Sequence, residues 1–254
     1  MGGLVAGAAV LFAAVVQAAP AQAVANGQDV LDGQYEFSVA LSMPLITRAD
    51  GSTYASACSA VLIDPQWLLT AGHCAHDGNR VRINGTPRYQ ITATIGQATL
   101  SGTTGTKVDV VHIVQNENAD IALAKLVTPV SDVEPISLAT TAPAVGDLVR
   151  LTGWGSRDGV ADLTHRPDRM QTGQMTVSRT DATLAYVKGA APQSNTSACP
   201  YDSGAPYFSE SATGEVRLVA TEVGGPSCPH NGEDRAARVD VLVPWVQEHI
   251  SLGL

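Results

Sequence analysis

The sequence predicts an all-β protein, and three observations support this class. Short apolar stretches recur along the chain, for example at residues 37–41, 60–63 and 148–152. Gly, Pro, Asn and Asp separate these stretches, as is typical of turns between strands. No convincing amphipathic helix pattern occurs before residues 245–250, so one helix is expected near the C-terminus. This combination is typical of a β-sandwich or of β-barrels.

The predicted strands follow one another in a regular order. After the strand at residues 37–41, the apolar stretches at 60–63 and 67–69 flank Asp64-Pro65-Gln66, a turn in which proline fixes φ. The remaining strands are expected at residues 121–127, 148–152, 174–177 and 216–219. A proline-containing stretch at residues 130–143 is suited to connect two halves of similar size.

Length and charge limit the classes of function. The 254 residues, of which 44% are hydrophobic, can form one large domain or two small ones with an extensive core. The net charge is −9 and no basic run occurs, so nucleic acid is not an expected partner. The acidic balance favours solubility and indicates nothing more specific.

The N-terminal stretch differs in composition from the rest of the chain. Residues 4–19 are apolar and rich in Ala and Val, and Ala21-Gln22-Ala23 supplies small residues at both positions that a signal peptidase reads. We therefore expect residues 1–23 to be a secretory signal peptide and the mature, extracellular protein to begin at Val24. No Lys or Arg precedes the apolar stretch, and the alternative is a membrane anchor. A membrane span needs about 20 apolar residues, whereas this stretch is short and weakly apolar.

The chain contains four cysteines: Cys58, Cys74, Cys199 and Cys228. An even number of cysteines in an exported protein predicts two disulfides, for which three pairings exist. The alternative is a zinc site that also uses neighbouring histidines. The spacing of the cysteines and histidines matches no common zinc pattern, so no metal is expected.

Three short motifs together indicate a hydrolase. They are TAGHC at 70–74, ADIAL at 119–123 and DSG at 202–204, which place His73, Asp120 and Ser203 in that order. Each motif alone is weak. With CSAVLIDPQWLLTAGHC, LTGWG and RVDVLVPWV in the same order along the chain, the sequence resembles the chymotrypsin and trypsin type of serine protease, most closely its small secreted bacterial members. The resemblance extends from Val24 to Ile250.

The resemblance implies a fold of two six-stranded antiparallel β-barrels, with the active-site cleft between them and a C-terminal helix. Residues 24–137, approximately, would form the first barrel, and residues 138–254 the second barrel and the helix. The implied disulfides are Cys58–Cys74 and Cys199–Cys228. The implied partners are a protein or peptide substrate and a protein inhibitor, and no cofactor, no nucleic acid, no membrane contact after signal cleavage and a monomeric state are expected.

The resemblance also implies the roles of the site residues. Ser203 would attack the substrate carbonyl, His73 would accept its proton, and Asp120 would fix the tautomer of His73. In the family, the freed N-terminal amine pairs with the Asp that precedes the nucleophile; here these groups belong to Val24 and Asp202. The predicted signal cleavage falls directly before Val24, so export itself would activate the protein without a separate propeptide. The alternative is cleavage after Ala18 or Ala19, which would leave a short propeptide for a second protease to remove.

The sequence departs from the family at the oxyanion hole. The backbone N–H groups of Ser203 and Tyr201 would form it, but the family has Gly where this chain has Tyr201. The N–H survives this change, whereas the side chain restricts the backbone conformation that directs it. Loss of one such donor lowers the rate by about 100- to 1,000-fold.

The predicted substrate pocket departs from the family as well. Ser197 lies at its base, which suggests a chymotrypsin- or elastase-like preference, and Gly225 keeps one wall open. Asp234 belongs to the opposite wall: pointing inward it would bind Arg or Lys, but we expect it to point to solvent. The usual Ser-Trp-Gly segment is absent, and Glu222 or Val223 takes the place of its Ser. A Glu beside Asp120 would disfavour the ionisation of both carboxyls.

These departures leave three functions to compare. The leading prediction is a secreted serine endopeptidase that acts through an acyl-enzyme. The second is a catalytically weak or inactive homologue that serves as a binding module. The third is an enzyme that cleaves only esters, because activated esters need less stabilisation of the oxyanion than amides.

Overall fold

A computed structural model describes residues 24–253, so the predicted signal peptide at residues 1–23 lies outside the described residues. Strands dominate the described chain, and the α-helix α1 (Val243–Leu252) follows the last of them. In chain order the strands are β1 (Gln28–Asp29), β2 (Ser38–Thr47), β3 (Thr53–Asp64), β4 (Trp67–Ala71), β5 (Thr92–Ile95), β6 (Thr106–Gln115), β7 (Ile121–Leu126), β8 (Ser137–Leu138), β9 (Leu148–Gly153), β10 (Gln171–Thr180), β11 (Leu184–Ala191), β12 (Pro206–Glu210), β13 (Val216–Gly224) and β14 (Asp234–Arg238).

The first six long strands form a closed antiparallel barrel in the order β2-β3-β4-β7-β6-β5. Its interior follows from the two-residue period of a strand, which sends successive side chains to opposite faces. On β2, for example, Leu41 and Met43 are buried, and Ser42 between them is exposed. Strand β4 is buried along its whole length, because the barrel core and the second half of the molecule cover its two faces.

The second barrel is formed by β9-β10-β11-β14-β13-β12 and closes where β9 pairs with β10. The short strand β8 adds to β13 in parallel. The predicted class, with two six-stranded antiparallel barrels and a C-terminal helix, is therefore confirmed. The helix begins with Pro244 in its first turn and ends at Gly253, whose φ of 64° suits glycine.

The N-terminal segment packs on the second barrel, although it precedes the first barrel in the chain. Strand β1 pairs with β10, and Ala25 forms an antiparallel bridge with Ser197. Val24 is fully buried in the core of the second barrel. The first residues of the described chain thus cross from one barrel to the other.

Both disulfides have the predicted pairing, Cys58–Cys74 and Cys199–Cys228. The first ties β3 to the 3₁₀ turn Gly72–Ala75, and the second joins the loop before β12 to the loop after β13. Because all four cysteines are paired, no thiolate is left for the alternative zinc site. Within residues 24–253, no helix combines the length and apolar character that crossing a membrane requires.

Candidate active site

The pairing of β4 with β7 brings His73 and Asp120 together. Ala71, the last residue of β4, lies opposite Ile121, the first residue of β7. His73 follows β4 on the 3₁₀ turn and Asp120 precedes β7, so both lie at the same end of the barrel. The backbone N–H of Gly72 donates to Asp120 O at 2.9 Å and fixes the two segments side by side.

Asp120 contacts His73 through both carboxylate oxygens. Its Oδ1 accepts a hydrogen bond from the backbone N–H of His73 at 2.8 Å, and its Oδ2 lies 2.6 Å from His73 Nδ1. Partial burial raises the pKa of Asp120, but the hydrogen bonds and charge of His73 outweigh it and hold that pKa below its ordinary value. The Asp120 side chain is 39% exposed, which is a large exposed fraction for a carboxylate that orients a histidine.

Ser203 lies in the loop before β12, and the first barrel holds this loop in place. The backbone N–H of Ser59, on β3, donates to Ser203 O at 2.8 Å. Gly204 has a φ of 86°, and a Cβ at this position would collide with the carbonyl oxygen of Ser59. Only glycine therefore lets the loop approach β3 closely enough for this contact.

Two cavities meet at Ser203. One has a volume of about 420 Å³ and is lined by His73, Ser203, Tyr201 and the Cys58–Cys74 disulfide. The other has a volume of about 290 Å³ and is lined by Ser203, Ala198 and Gly225, among others. Ser203 thus borders both cavities.

Tyr201 adopts a left-handed backbone conformation with a φ of 80°. This is the region that glycine enters without cost and that a side chain enters at about 1–2 kcal/mol. The carbonyl of Tyr201 accepts a hydrogen bond from Ser59 Oγ at 3.2 Å, which helps to hold the conformation. The backbone at this position therefore follows the course that a glycine would take, despite the side chain.

The N–H groups of the nucleophile loop divide into two sets. Those of Asp202, Gly204 and Ala205 donate to backbone carbonyls at 2.7–2.9 Å. Those of Tyr201 and Ser203 have no acceptor among residues 24–253. Two unengaged donors beside a serine hydroxyl are the arrangement that stabilises an oxyanion.

Asp202 is fully buried beneath this loop. Its carboxylate accepts hydrogen bonds from the N–H groups of Gly155 at 2.8 Å and Cys199 at 3.0 Å. Burial raises the pKa of Asp202 to about 7, although these two donors and the charge of Arg166 oppose the rise. In the full chain the nitrogen of Val24 is a peptide nitrogen, because Ala23 precedes it, so no ammonium group faces Asp202 here.

The residues predicted for the substrate pocket occupy two layers. Gly225 lines the smaller cavity directly, whereas Ser197 and Asp234 lie behind its wall. Asp234 is only 1% exposed, which differs from the expected surface position. Its Oδ2 accepts a hydrogen bond from the N–H of Ala198 at 3.1 Å, and its Oδ1 lies 3.1 Å from His230 Nε2. The acid is buried because β14, which it begins, pairs with β11 and β13 in the second barrel.

Glu222 also has an environment that the sequence did not reveal. It is 2% exposed, lines the smaller cavity, and accepts a hydrogen bond from Tyr207 Oη at 2.7 Å. Burial and the charge of Asp234 raise the pKa of Glu222 well above its ordinary value. The predicted conflict between like charges thus involves Asp234 and Asp202 rather than Asp120.

Comparison with known proteins agrees with this geometry. Residues 24–246 match the protein family described as Trypsin. Serine protease SP24D of Anopheles gambiae is 27% identical over 88% of this chain and 80% of its own. Kallikrein-5 of Homo sapiens is 30% identical over 76% of this chain and 67% of its own, and tryptase of Mus musculus is 34% identical over 60% and 58%.

Proposed function

Since the chain belongs to the trypsin family and is a serine-type endopeptidase, we propose that it cleaves peptide bonds with Ser203, His73 and Asp120. The observation that carries this assignment is the 2.6 Å contact between Asp120 and His73 beside a cavity that His73 and Ser203 both line. The N–H groups of Tyr201 and Ser203, which have no acceptor among the described residues, support their role as oxyanion donors.

The reaction proceeds by two acyl transfers. Ser203 Oγ attacks the carbonyl carbon of the substrate, and His73 Nε2 takes the hydroxyl proton. His73 then gives this proton to the amide nitrogen as the C–N bond breaks, which releases the amine and leaves an ester on Ser203. Water repeats the sequence, and the carboxylic acid leaves. Asp120 holds Nδ1–H in position and stabilises the imidazolium that forms in each half.

A fluorophosphonate probe tests the nucleophile, because it phosphonylates an activated serine and releases fluoride. We expect secreted protein to be labelled, and the Ser203→Ala variant to remain unlabelled. Ser209→Ala is the matched control, since Ser209 is also partly exposed but lies on β12 outside both cavities, and this variant should label normally.

The outcomes separate the alternative functions. Labelling that persists in the Ser203→Ala variant would exclude Ser203 as the nucleophile. A protein that never labels would be a non-catalytic homologue. A labelled protein that hydrolyses activated esters but no member of a diverse peptide library would be an esterase only, and its oxyanion site would be the defective part.

We also propose that export activates the enzyme. Signal cleavage before Val24 would free an amine on a residue that is fully buried, and Ala25 already pairs with Ser197. An ammonium group there would supply the full counter-charge that Asp202 lacks while Val24 is joined to Ala23. N-terminal sequencing of active secreted protein should give Val24, and an active protein that begins at Ala19 or Pro20 would refute the proposal.

The buried acid behind the smaller cavity gives a prediction of specificity. Asp234 accepts from the N–H of Ala198, which lines that cavity, so its charge lies one residue behind the surface that a substrate side chain would touch. We expect cleavage after Arg or Lys, and Asp234→Asn should lower kcat/KM for these residues by about tenfold or more. Profiling with a peptide library measures this. An unchanged preference in the variant would show that Ser197 and the pocket shape decide specificity instead.

A further inference from the structure

Arg166 is a largely buried cation that the mechanism above does not use. It follows the 3₁₀ turn Leu163–His165 in the loop between β9 and β10. Its Nε donates to Trp154 O at 2.8 Å, whereas its Nη2 is inaccessible to solvent and has no hydrogen-bond partner among residues 24–253. Burial lowers the pKa of Arg166, and the charges of Asp202 and Tyr201 oppose the decrease. A guanidinium in such a position needs a nearby anion to offset its desolvation.

Arg166 acts on the two residues that precede Ser203, Tyr201 and Asp202, which we call the oxyanion turn. Its Cζ lies 5.7 Å from the centre of the Tyr201 ring, a distance typical of a cation–π contact. Its charge also acts on the buried carboxylate of Asp202. Tyr201 has a left-handed backbone that costs free energy, and Asp202 has no direct cationic partner among the described residues. The Arg166 side chain thus contacts Tyr201, whose backbone is strained, and its positive charge favours the ionised form of Asp202, the next residue.

We propose that Arg166 is a positioning residue for the oxyanion turn: it packs on Tyr201 and supplies positive charge beside Asp202, and so keeps the turn assembled before the Val24 amine is freed. The inference rests on the proposed function, because it assigns basal activity to the unprocessed enzyme. It predicts that the unprocessed chain has a partly active site, and that processing adds a second, stronger counter-charge for Asp202.

The groups that act on Asp202 make this role dependent on pH. Arg166 lowers the pKa of Asp202, and Asp234 raises it. Glu222 and Tyr207 also lie within electrostatic reach. Because burial raises the pKa of Asp202 to about 7 in the folded chain, the stability that its protonated form contributes is lost as the pH rises toward that value. Removal of Arg166 raises the pKa of Asp202 further, so more stability is lost as the pH rises.

The test uses two forms of the enzyme, one that begins at Val24 and one that retains residues 22–23. In the extended form, Arg166→Met should lower the rate constant of fluorophosphonate labelling by about tenfold or more, and in the processed form by about threefold or less. Arg166→Lys keeps the charge but loses the planar group that packs on Tyr201, so it should restore part of the rate in the extended form. Arg157→Met, an exposed arginine of the same loop, should leave both rates unchanged.

Two results of the labelling experiment would overturn the proposal. Equal losses of labelling rate in both forms would make Arg166 a packing residue only. If the processed form labels and the extended form never does, the charge of Arg166 is insufficient to keep the oxyanion turn assembled. If neither form labels, the proposed function itself has failed. In that case, thermal unfolding of the extended form with Ser203→Ala tests the role of Arg166. The unfolding midpoint should fall more between about pH 5 and pH 8 when Arg166→Met is added. Parallel pH profiles would refute the role of Arg166.

Discussion

Replacement of Asp120 by Asn is expected to lower kcat by about 10⁴-fold with little change in the unfolding temperature. Asp120 accepts from the backbone N–H of His73 and also contacts its Nδ1. An Asn amide in this place donates to Nδ1, which turns the imidazole to the tautomer with its proton on Nε2. That nitrogen can then no longer accept the proton of Ser203. Because Asp120 is 39% exposed, its replacement leaves no buried unpaired group that would destabilise the fold.

An exposed His–Asp pair on a surface loop provides a matched control. His165 Nδ1 lies 2.8 Å from Asp158 Oδ2 on the surface loop between β9 and β10. Asp158→Asn makes the same chemical change outside both cavities and should leave kcat unchanged. Steady-state kinetics on a peptide substrate and a thermal melt of each variant complete the measurement. A loss of less than about tenfold in Asp120→Asn would contradict the assignment of this carboxylate.

Replacement of Tyr201 by Pro should lower kcat on amide substrates by about 100- to 1,000-fold, because it removes the N–H that we propose as an oxyanion donor. Proline has no N–H and its ring fixes φ near −65°, whereas Tyr201 has a φ of 80°. Tyr201→Gly keeps the N–H and enters this region freely, so its kcat should stay within about threefold of the parent. Activated esters should lose less than amides in the Pro variant, because they depend less on the oxyanion site.

Tyr35 provides the control for the backbone strain at Tyr201. It too is a tyrosine with positive φ, 53°, but it packs against Phe37 and Phe208 outside both cavities. Tyr35→Gly should change the unfolding temperature and leave kcat unaltered. If Tyr201→Gly instead raises kcat a hundredfold or more, the tyrosine misdirects its N–H, and the natural enzyme is a weakened one.

The strands and the site could be predicted to different extents. The β class follows from short alternating stretches and their turn residues, which are local properties of the sequence. The resemblance supplied the barrels and the cysteine pairs. The resemblance also implied the meeting of His73 with Asp120, and the structure explains it, because each residue lies at the end of a strand and the two strands pair.

The environment of the acids could not be predicted, because it depends on pairing between distant strands. Asp234 lies in a polar stretch that is typical of a surface turn, but the pairing of β14 within the second barrel buries it. Glu222 meets Tyr207 only because β13 pairs with β12, in a register that sets Tyr207 opposite Ala220. Arg166 belongs to a polar loop without periodicity, so no local signal indicates that it folds back onto Trp154.

The N-terminal segment has a consequence for when the enzyme becomes active during its synthesis. Ala25 pairs with Ser197, and Gln28 pairs with Thr172. The first described residues therefore cannot pair until the last third of the chain has been synthesised. Such long-range contacts form late, after most of the polypeptide has left the ribosome. A nascent or truncated chain that lacks these partners therefore also lacks the wall on which Val24 packs, and Val24 cannot be buried until nearly the whole second barrel has been synthesised.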